Sequence, residues 1–280
     1  MEQYLWLIPV GFVIGAYGTL IGAGGGFVLV PLLLLLYPEE KPEIITSISL
    51  AVVFFNALSG SMAYGRLKRI DYRSGIVFSV ATIPGAILGA LTTSYLSRRL
   101  FDLVFGILMI AASLYLLFRP DAKREVQSTE RLYENAGEIP HYYWTRNFAD
   151  ADGVHYNFSY NPVIGVALSL FVGYVSSLLG VGGGFIHVPA LVHLLNFPVH
   201  IATATSHFIL SIMAFTGTSV HIATGAFYRG VRRTIALSIG VVLGAQLGAW
   251  LSDRVHGDWI MRALGIALGF VGARILVMAM

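Results

Sequence analysis

Two glycine clusters carry the first chemical signal in this chain. Gly22-Ala23-Gly24-Gly25-Gly26 runs into Phe27-Val28-Leu29-Val30-Pro31, and Gly180-Val181-Gly182-Gly183-Gly184 runs into Phe185-Ile186-His187-Val188-Pro189. Glycine has the most backbone freedom to lose in a helix, so each cluster should end one helix and let another begin. A helix that starts after such a turn presents unpaired N–H groups and the positive end of its dipole, which suits an anion. Each end contributes about 0.3–2 kcal/mol depending on burial, so two converging ends could hold a small oxyanion with moderate affinity. The candidate substrate-binding residues are therefore Gly22, Gly24, Gly25 and Gly26 with Gly180, Gly182, Gly183 and Gly184. Four side chains join them. His187 follows the second cluster, His207 stands beside Thr203, Thr205 and Ser206, and Asn56 and Gln246 interrupt apolar stretches. Polar groups at such positions face a bundle interior, and histidine can take up a proton near neutral pH. Their plainer use is hydrogen bonding between helices.

The elements that position these residues must lie in a membrane. Of 280 residues, 56% are hydrophobic and 12% charged, with a mean hydropathy of +0.73, too apolar for a soluble domain. Lipid bilayer is thus the first partner. The net charge of +3 sits in loops and makes no case for nucleic acid. The chain has no cysteine, which removes disulfides and thiolate chemistry. It has no GxxxxGK[ST], no HExxH and no acidic pair within its apolar runs. The glycine clusters lack the strand and distal acid of a dinucleotide site. His187, His193 and His207 have no ligand spacing for a metal. Nothing here reads as an enzyme, a cofactor site or a metal site. Met1-Glu2-Gln3-Tyr4 lacks the positive region of a secretory signal, so the first apolar run is expected to be retained.

A helix needs ~20 apolar residues to cross a bilayer. Eight stretches qualify, in two sets of four: 4–37, 43–64, 72–95 and 99–118, then 162–196, 199–223, 232–252 and 258–279. The expected fold class is all-α, built from two repeated four-helix halves, with helices 1 and 5 broken at the glycines. Residues 1–118 form the first repeat, 119–160 a polar link, and 161–280 the second repeat. Pro84-Gly85-Ala86-Ile87-Leu88-Gly89-Ala90 matches Leu243-Gly244-Ala245-Gln246-Leu247-Gly248-Ala249, and Thr46-Ser47-Ile48-Ser49 matches Thr203-Ala204-Thr205-Ser206. Glycines one turn apart let helix backbones approach, and such faces permit a homodimer. The basic loops after helices 2 and 6 match in position. Placing both inside gives twelve Lys/Arg on the cytoplasmic side against five outside, with both termini cytoplasmic. That arrangement implies parallel repeats. An inverted relation would require each broken segment to fold back as a re-entrant hairpin. The link, with its aromatic run His141-Tyr142-Tyr143-Trp144, reads as a tether with an amphipathic stretch at the interface.

With the duplicated G-x-GGG-F-x-x-V-P element and the PGAxxGA run, the chain resembles the sulfite exporter TauE/SafE family of membrane permeases. The resemblance covers both halves and not the 119–160 link, which is longer than the short polar link expected of the family. It implies transport of a small sulfur-containing anion, sulfite or an organosulfonate, across the cell membrane without ATP hydrolysis by this chain. Moving one charge through the membrane potential is worth ~2.3 kcal/mol per 100 mV, so an inside-negative cell expels an anion spontaneously. Export is the expected direction. Uptake would need a coupled ion, with His187 or His207 as the natural proton carrier, and an anion channel could use the same amides.

Overall fold

The computed structural model describes residues 4–118, 143–252 and 257–279. The first series of helices is α1 (Leu7–Ile21), α2 (Gly26–Leu36), α3 (Pro42–Arg66), α4 (Tyr72–Thr93) and α5 (Arg98–Phe118). Strands β1 (Trp144–Ala149) and β2 (His155–Tyr160) follow. The second series is α6 (Pro162–Leu179), α7 (Gly184–Leu195), α8 (Val199–Ala223), α9 (Val231–Leu251) and α10 (Gly257–Ala279). Proline at the first position starts α3 and α6, where no N–H is needed. Asn161 caps α6, its side chain accepting the Val163 N–H at 2.9 Å. Among the described residues, α3, α4, α6, α8 and α9 are long and apolar enough to cross a membrane. Helices α1 and α2, of 15 and 11 residues, are not.

Those short helices do not continue one another. Gly25 packs on Ile14, Gly18 on the backbone of Gly24 and Gly25, and the Tyr17 and Phe27 rings lie 6.4 Å apart. Burial raises the Tyr37 hydroxyl pKa, Arg233 opposes that, and Tyr4 and Glu40 are close enough to add to it. Tyr4 and Tyr37 thus lie near one another, and α1–α2 is a hairpin that enters and leaves at one end of the bundle. The α6–α7 segment turns back in the same way. Ser169 meets His187 at 3.2 Å, Val172 and Ser176 meet Gly183, and Gly165 lies near Leu195. The Asn196 amide donates to the Ser159 carbonyl at 3.3 Å, so this hairpin also leaves beside its entry.

The two hairpins enter from opposite ends. At one end, Arg233 pairs with Glu40 at 3.5 Å and covers the Tyr37 ring at 3.9 Å. Arg98 there binds the Glu40 carbonyl at 2.6 Å and Asp102 through Nε. At the other, the Ala151 N–H donates to the Leu67 carbonyl at 3.0 Å and Arg146 holds Asp71. Loops 66–73 and 229–233 are therefore at opposite ends, which overturns the expectation of parallel halves. The sequence argument counted loop charge before knowing that each broken segment returns to its own side. With the loops separated, the described Lys/Arg number six at the Glu40 end (Lys41, Arg98, Arg99, Arg229, Arg232, Arg233) and six at the Asp71 end (Arg66, Lys68, Arg69, Arg73, Arg146 and, early in α10, Arg262). Arg119, Lys123, Arg124, Arg131 and Arg254 lie outside the described residues. The twelve-to-five contrast no longer stands, and with it goes the basis for cytoplasmic termini.

Glycine faces join the two series. Gly85 and Gly89 of α4 lie on the backbone of α6 from Leu170 to Leu178, and Gly244 and Gly248 of α9 lie on the backbone of α1 from Phe12 to Ala16. A Cβ at any of these four would overlap a partner carbonyl. Helix α3 pairs with α8 and α5 with α10.

The all-α expectation needs one correction. Residues 144–160 form an antiparallel hairpin in register Trp144↔Tyr160, Arg146↔Phe158 and Phe148↔Tyr156. Alternation in Tyr156-Asn157-Phe158-Ser159-Tyr160 and the turn at Asp150-Ala151-Asp152-Gly153 are strand and hairpin signals, and the amphipathic-tether reading passed over them. Residues 119–142 of the link lie outside the described residues. Phe158 and Tyr160 stack on Phe197 at 4.5 and 5.1 Å, and Tyr160 on Phe78 at 5.8 Å. Such pairs add about 0.5–1.5 kcal/mol each beyond burial. Burial pushes the Asp150 carboxyl up, but N–H groups of Val154 and Asp152, the Tyr156 hydroxyl and Arg69 together hold it below the usual range. Asp71 is fully buried and bound by Arg146 through three contacts of 2.7–3.0 Å, with the Ser74 hydroxyl on the same carboxylate. Those hydrogen bonds hold the Arg146 guanidinium above its usual value despite its partial burial.

Two outcomes are expected. In this cysteine-free chain, an impermeant thiol reagent should label Arg66→Cys from one side of the membrane and Arg229→Cys from the other; labelling of both from one side contradicts the fold. Removing one partner of a buried pair costs about 3–5 kcal/mol, so Asp71→Ala and Arg146→Ala should each lower thermal stability sharply in detergent and show strong non-additivity in the double variant.

Candidate functional site

The glycine turns meet inside the bundle. Gly22, Gly24 and Gly25 have φ of 83°, 74° and 80°, and Gly180 and Gly182 have 69° and 74°, left-handed values that a side chain would strain. Gly22 closes α1 with its N–H on the Thr19 carbonyl at 3.1 Å, and Val181 turns off α6 with its N–H on Ser176 at 3.2 Å. The loops then cross backbone to backbone. A Cβ at Gly26 would overlap the Val181 carbonyl, and one at Gly184 would overlap the Gly22 carbonyl. Val53, near the middle of α3, touches Gly24, Gly26 and Gly182, and Leu210, near the middle of α8, touches Gly24. The N–H groups of Gly25, Gly182 and Gly183 make no hydrogen bond among the described residues. One set of glycines thus both permits the crossing and leaves amides unpaired beside it.

Each long central helix lays a stripe against one loop. On α8 the stripe is Thr203, His207 and Leu210, with Thr203 on Gly22 and Leu210 on Gly24. On α3 it is Thr46, Leu50 and Val53, with Thr46 on Gly180 and Val53 on Gly182. Positions four and three apart on a helix share a face.

The four sequence-predicted side chains separate into three places. Asn56 and His207 come together around Thr19. The Thr19 hydroxyl donates to Asn56 Oδ1 at 3.2 Å, and Gly60, one turn past Asn56, faces both Thr19 and His207. Tyr64 donates to the Thr19 carbonyl at 2.9 Å and sets its ring edge-on to His207 with centroids 5.6 Å apart. Sequence reasoning missed Thr19, Gly60 and Tyr64. Thr19 could have been found as the hydroxyl three residues ahead of the first cluster, matched by Ser177 ahead of the second. His187 is buried elsewhere, bonded to Ser169 inside its own hairpin. Gln246 does helix-joining work: its amide donates to the Ser59 carbonyl at 2.9 Å and the Ser59 hydroxyl at 2.8 Å, and that hydroxyl reaches the Val242 carbonyl. Among the described residues no group of three or more metal-ligating side chains gathers. A cavity of about 470 Å³ borders the crossing at Ile21, Phe27, Gly184 and Phe185 and is walled by α5 and α7.

Compared with known families, residues 7–275 match the one described as sulfite exporter TauE/SafE. The chain belongs to that family. Its TauE/SafE match spans both glycine loops and everything between them. Over 280 residues the chain is 32% identical to the probable membrane transporter protein YunE of Bacillus subtilis strain 168, covering 98% of this chain and 97% of the relative. A probable membrane transporter protein of Methanocaldococcus jannaschii is 20% identical, covering 96% of each. One from Xylella fastidiosa strain 9a5c is 27% identical over 253 residues, 88% of this chain and 82% of the relative. No solved structure matches the chain. It is a multi-pass membrane transporter of the TauE/SafE family.

The geometry separates the roles of this TauE/SafE chain's polar and glycine residues in a measurable way. Overpacking costs about 1–3 kcal/mol, so Gly26→Val and Gly184→Val should lower thermal stability by that amount and wedge the loops apart, reducing flux to background. Gln246→Leu should lower stability by about 1 kcal/mol through lost hydrogen bonds and leave the KM for transported anion unchanged. Melting curves and flux on the same preparations check both.

Proposed function

We propose that this chain is a secondary transporter that moves a small sulfur-containing anion, sulfite or an organosulfonate, across the cytoplasmic membrane by alternating access, with export favoured. The observation that carries the reading is the crossing of two glycine loops, delivered from opposite ends, near the middle of α3 and α8. Residues 1–118 and 161–280 then act as two repeats inverted with respect to each other, joined by the 119–160 link. Inverted repeats with broken helices at the bilayer midplane are a recurrent carrier design, in which one part rocks against another around a fixed site. The pairings support it, since α1 on α9 repeats α6 on α4, and α3–α8 and α5–α10 pair equivalent helices. The family description supports the sulfur anion as cargo.

Among the described residues, the buried charged side chains Arg69, Asp71, Asp102 and Asp150 lie toward the bundle ends. The core offers an anion dipoles rather than a fixed countercharge, so the anion carries its charge across the field, worth ~2.3 kcal/mol per 100 mV. That term drives export from an inside-negative cell. Chain order also bears on orientation. Arg119, Lys123, Arg124 and Arg131 follow α5 from the Asp71 end, and Arg254 follows α9 at the same end. By chain order alone, the segments that leave the Asp71 end carry eleven Lys/Arg, Arg262 among them, against six, and loops near span ends follow the positive-inside bias. We therefore place the Asp71 end in the cytoplasm, which puts Tyr4 and the end of α10 outside, the reverse of the sequence expectation.

Sulfite efflux from proteoliposomes of purified protein, at two clamped potentials, tests the function. Saturable efflux with counterflow that rises with inside-negative potential is the expected result. Absence of flux for sulfite, taurine, sulfoacetate and thiosulfate in folded protein would refute the cargo assignment.

A further inference from the structure

The two stripes that flank the glycine crossing match along their length but differ in chemistry at two positions. Thr46 and Thr203 match, as do Val53 and Leu210, and Gly60 matches Gly217. Beside Gly217 stand Leu50 and Ser177; beside Gly60, in the same relation, stand His207 and Thr19. Position 56, one turn before Gly60, is asparagine, while position 213, one turn before Gly217, is methionine. The bundle therefore has two matched places, and only one of them carries an imidazole and an amide.

That pocket holds donor capacity the protein does not use. Asn56 and His207 are both fully buried. The Thr19 hydroxyl occupies Asn56 Oδ1, which turns the NH₂ group away, and Asn56 Nδ2 has no partner among the described residues. The His207 ring interacts with the Thr203 backbone one turn back on its own helix, and its Nε2, 3.1 Å from where a Gly60 Cβ would be, has no hydrogen-bond partner among the described residues. Buried polar groups are nearly always hydrogen-bonded, and leaving one unpaired costs about 1–3 kcal/mol. Tyr64 fixes the arrangement from behind by bonding the Thr19 carbonyl and bracing the imidazole edge-on. A small oxyanion with acceptor oxygens and a proton to share would satisfy the Asn56 NH₂ group and His207 Nε2 at once.

We propose that Asn56 Nδ2 and the His207 imidazole bind the transported oxyanion directly, at a single off-axis site between α1, α3 and α8, and that the Leu50–Met213 pocket binds none. This rests on the transport reading above and deepens it by fixing which side chains hold the anion and how many anions each chain holds. Each chain has one binding place, since the equivalent pocket offers Leu50 and Met213 in place of the donors.

The molecule supplies its own foldable variants. His207→Leu and Asn56→Met each install the side chain that the equivalent pocket already accommodates, and Leu50→Ala and Met213→Leu serve as controls on that side. Calorimetric titration of purified full-length protein with sulfite should give one equivalent bound per chain in the wild type. His207→Leu and Asn56→Met should weaken binding and raise the KM for sulfite flux at least tenfold, with melting temperatures close to wild type, and the controls should stay within twofold. A third variant, Asn56→Asp, keeps the shape and turns a donor into a repelling carboxylate, and should lose sulfite binding altogether. Wild-type affinity in folded His207→Leu and Asn56→Met protein, or two equivalents bound per chain, would overturn this site while leaving the transport reading intact. No sulfite binding or flux by the wild type would remove both.

Discussion

A peptide group that leaves its helix inside hydrocarbon must find protein to cover it, and this constraint organises the whole molecule. Each hairpin stops its first helix deep in the bundle and exposes a turn of backbone there. The turn of one hairpin is covered by the turn of the other, carbonyl against Cα, so neither is viable alone. Glycine is required at the crossing because any Cβ at Gly26 or Gly184 would occupy the place of a partner carbonyl. Everything else follows from holding two such turns together. Helices α3 and α8 lie beside them at mid-length, and α4 and α9 bring glycine faces against α6 and α1 so that the hairpins' first helices are gripped along their backbones.

The crossing also explains why polar side chains cluster where they do. Thr19 lies at the end of α1, where its carbonyl already serves the Gly22 N–H and the Tyr64 hydroxyl. Its own hydroxyl is then free to orient Asn56. The two series supply matched frames, and the differences at Leu50/His207 and Asn56/Met213 make them chemically unlike. A bundle with near-symmetric architecture thereby acquires an asymmetric interior, with its donors on one side of the axis.

How much of this was legible in the sequence depends on the range of the signal. The glycine clusters, the matched PGAILGA and LGAQLGA runs and the two Ser/Thr runs are local patterns, and the residues they single out do lie at helix turns and helix contacts. The fold-back of each broken segment was not legible, because a Gly-rich break inside an apolar run looks the same whether the chain then continues or returns. That single ambiguity reversed the relation between the halves, since counting loop charge takes the path of the chain as given. Pooling His187, His207, Asn56 and Gln246 as one site failed for a similar reason. Residue type says that a polar group in hydrocarbon needs a partner, and only the fold shows that Ser169 satisfies His187 and Ser59 satisfies Gln246, whereas His207 Nε2 and the Asn56 NH₂ group go without.

The β-hairpin has a consequence for the energy of motion. It ties the α3–α4 turn of the first series to the α7–α8 turn of the second, through Arg146 on Asp71, Arg69 on Asp150 and the rings of Phe158 and Tyr160 on Phe197. At the Glu40 end, the series are linked by Arg233 with Glu40 and Tyr37, where the carboxylate is partly buried. Spreading the bundle at one end therefore breaks an ion pair on a fully buried carboxylate together with an aromatic cluster, and spreading it at the other breaks an ion pair whose carboxylate is only partly buried. Two states that inverted architecture alone would leave equal in energy are made unequal by a strap of 17 residues, Trp144 to Tyr160. Under the alternating access proposed above, the strapped end is the costlier one to open, and any ligand that empties through it must supply the difference from its own preference for the open form.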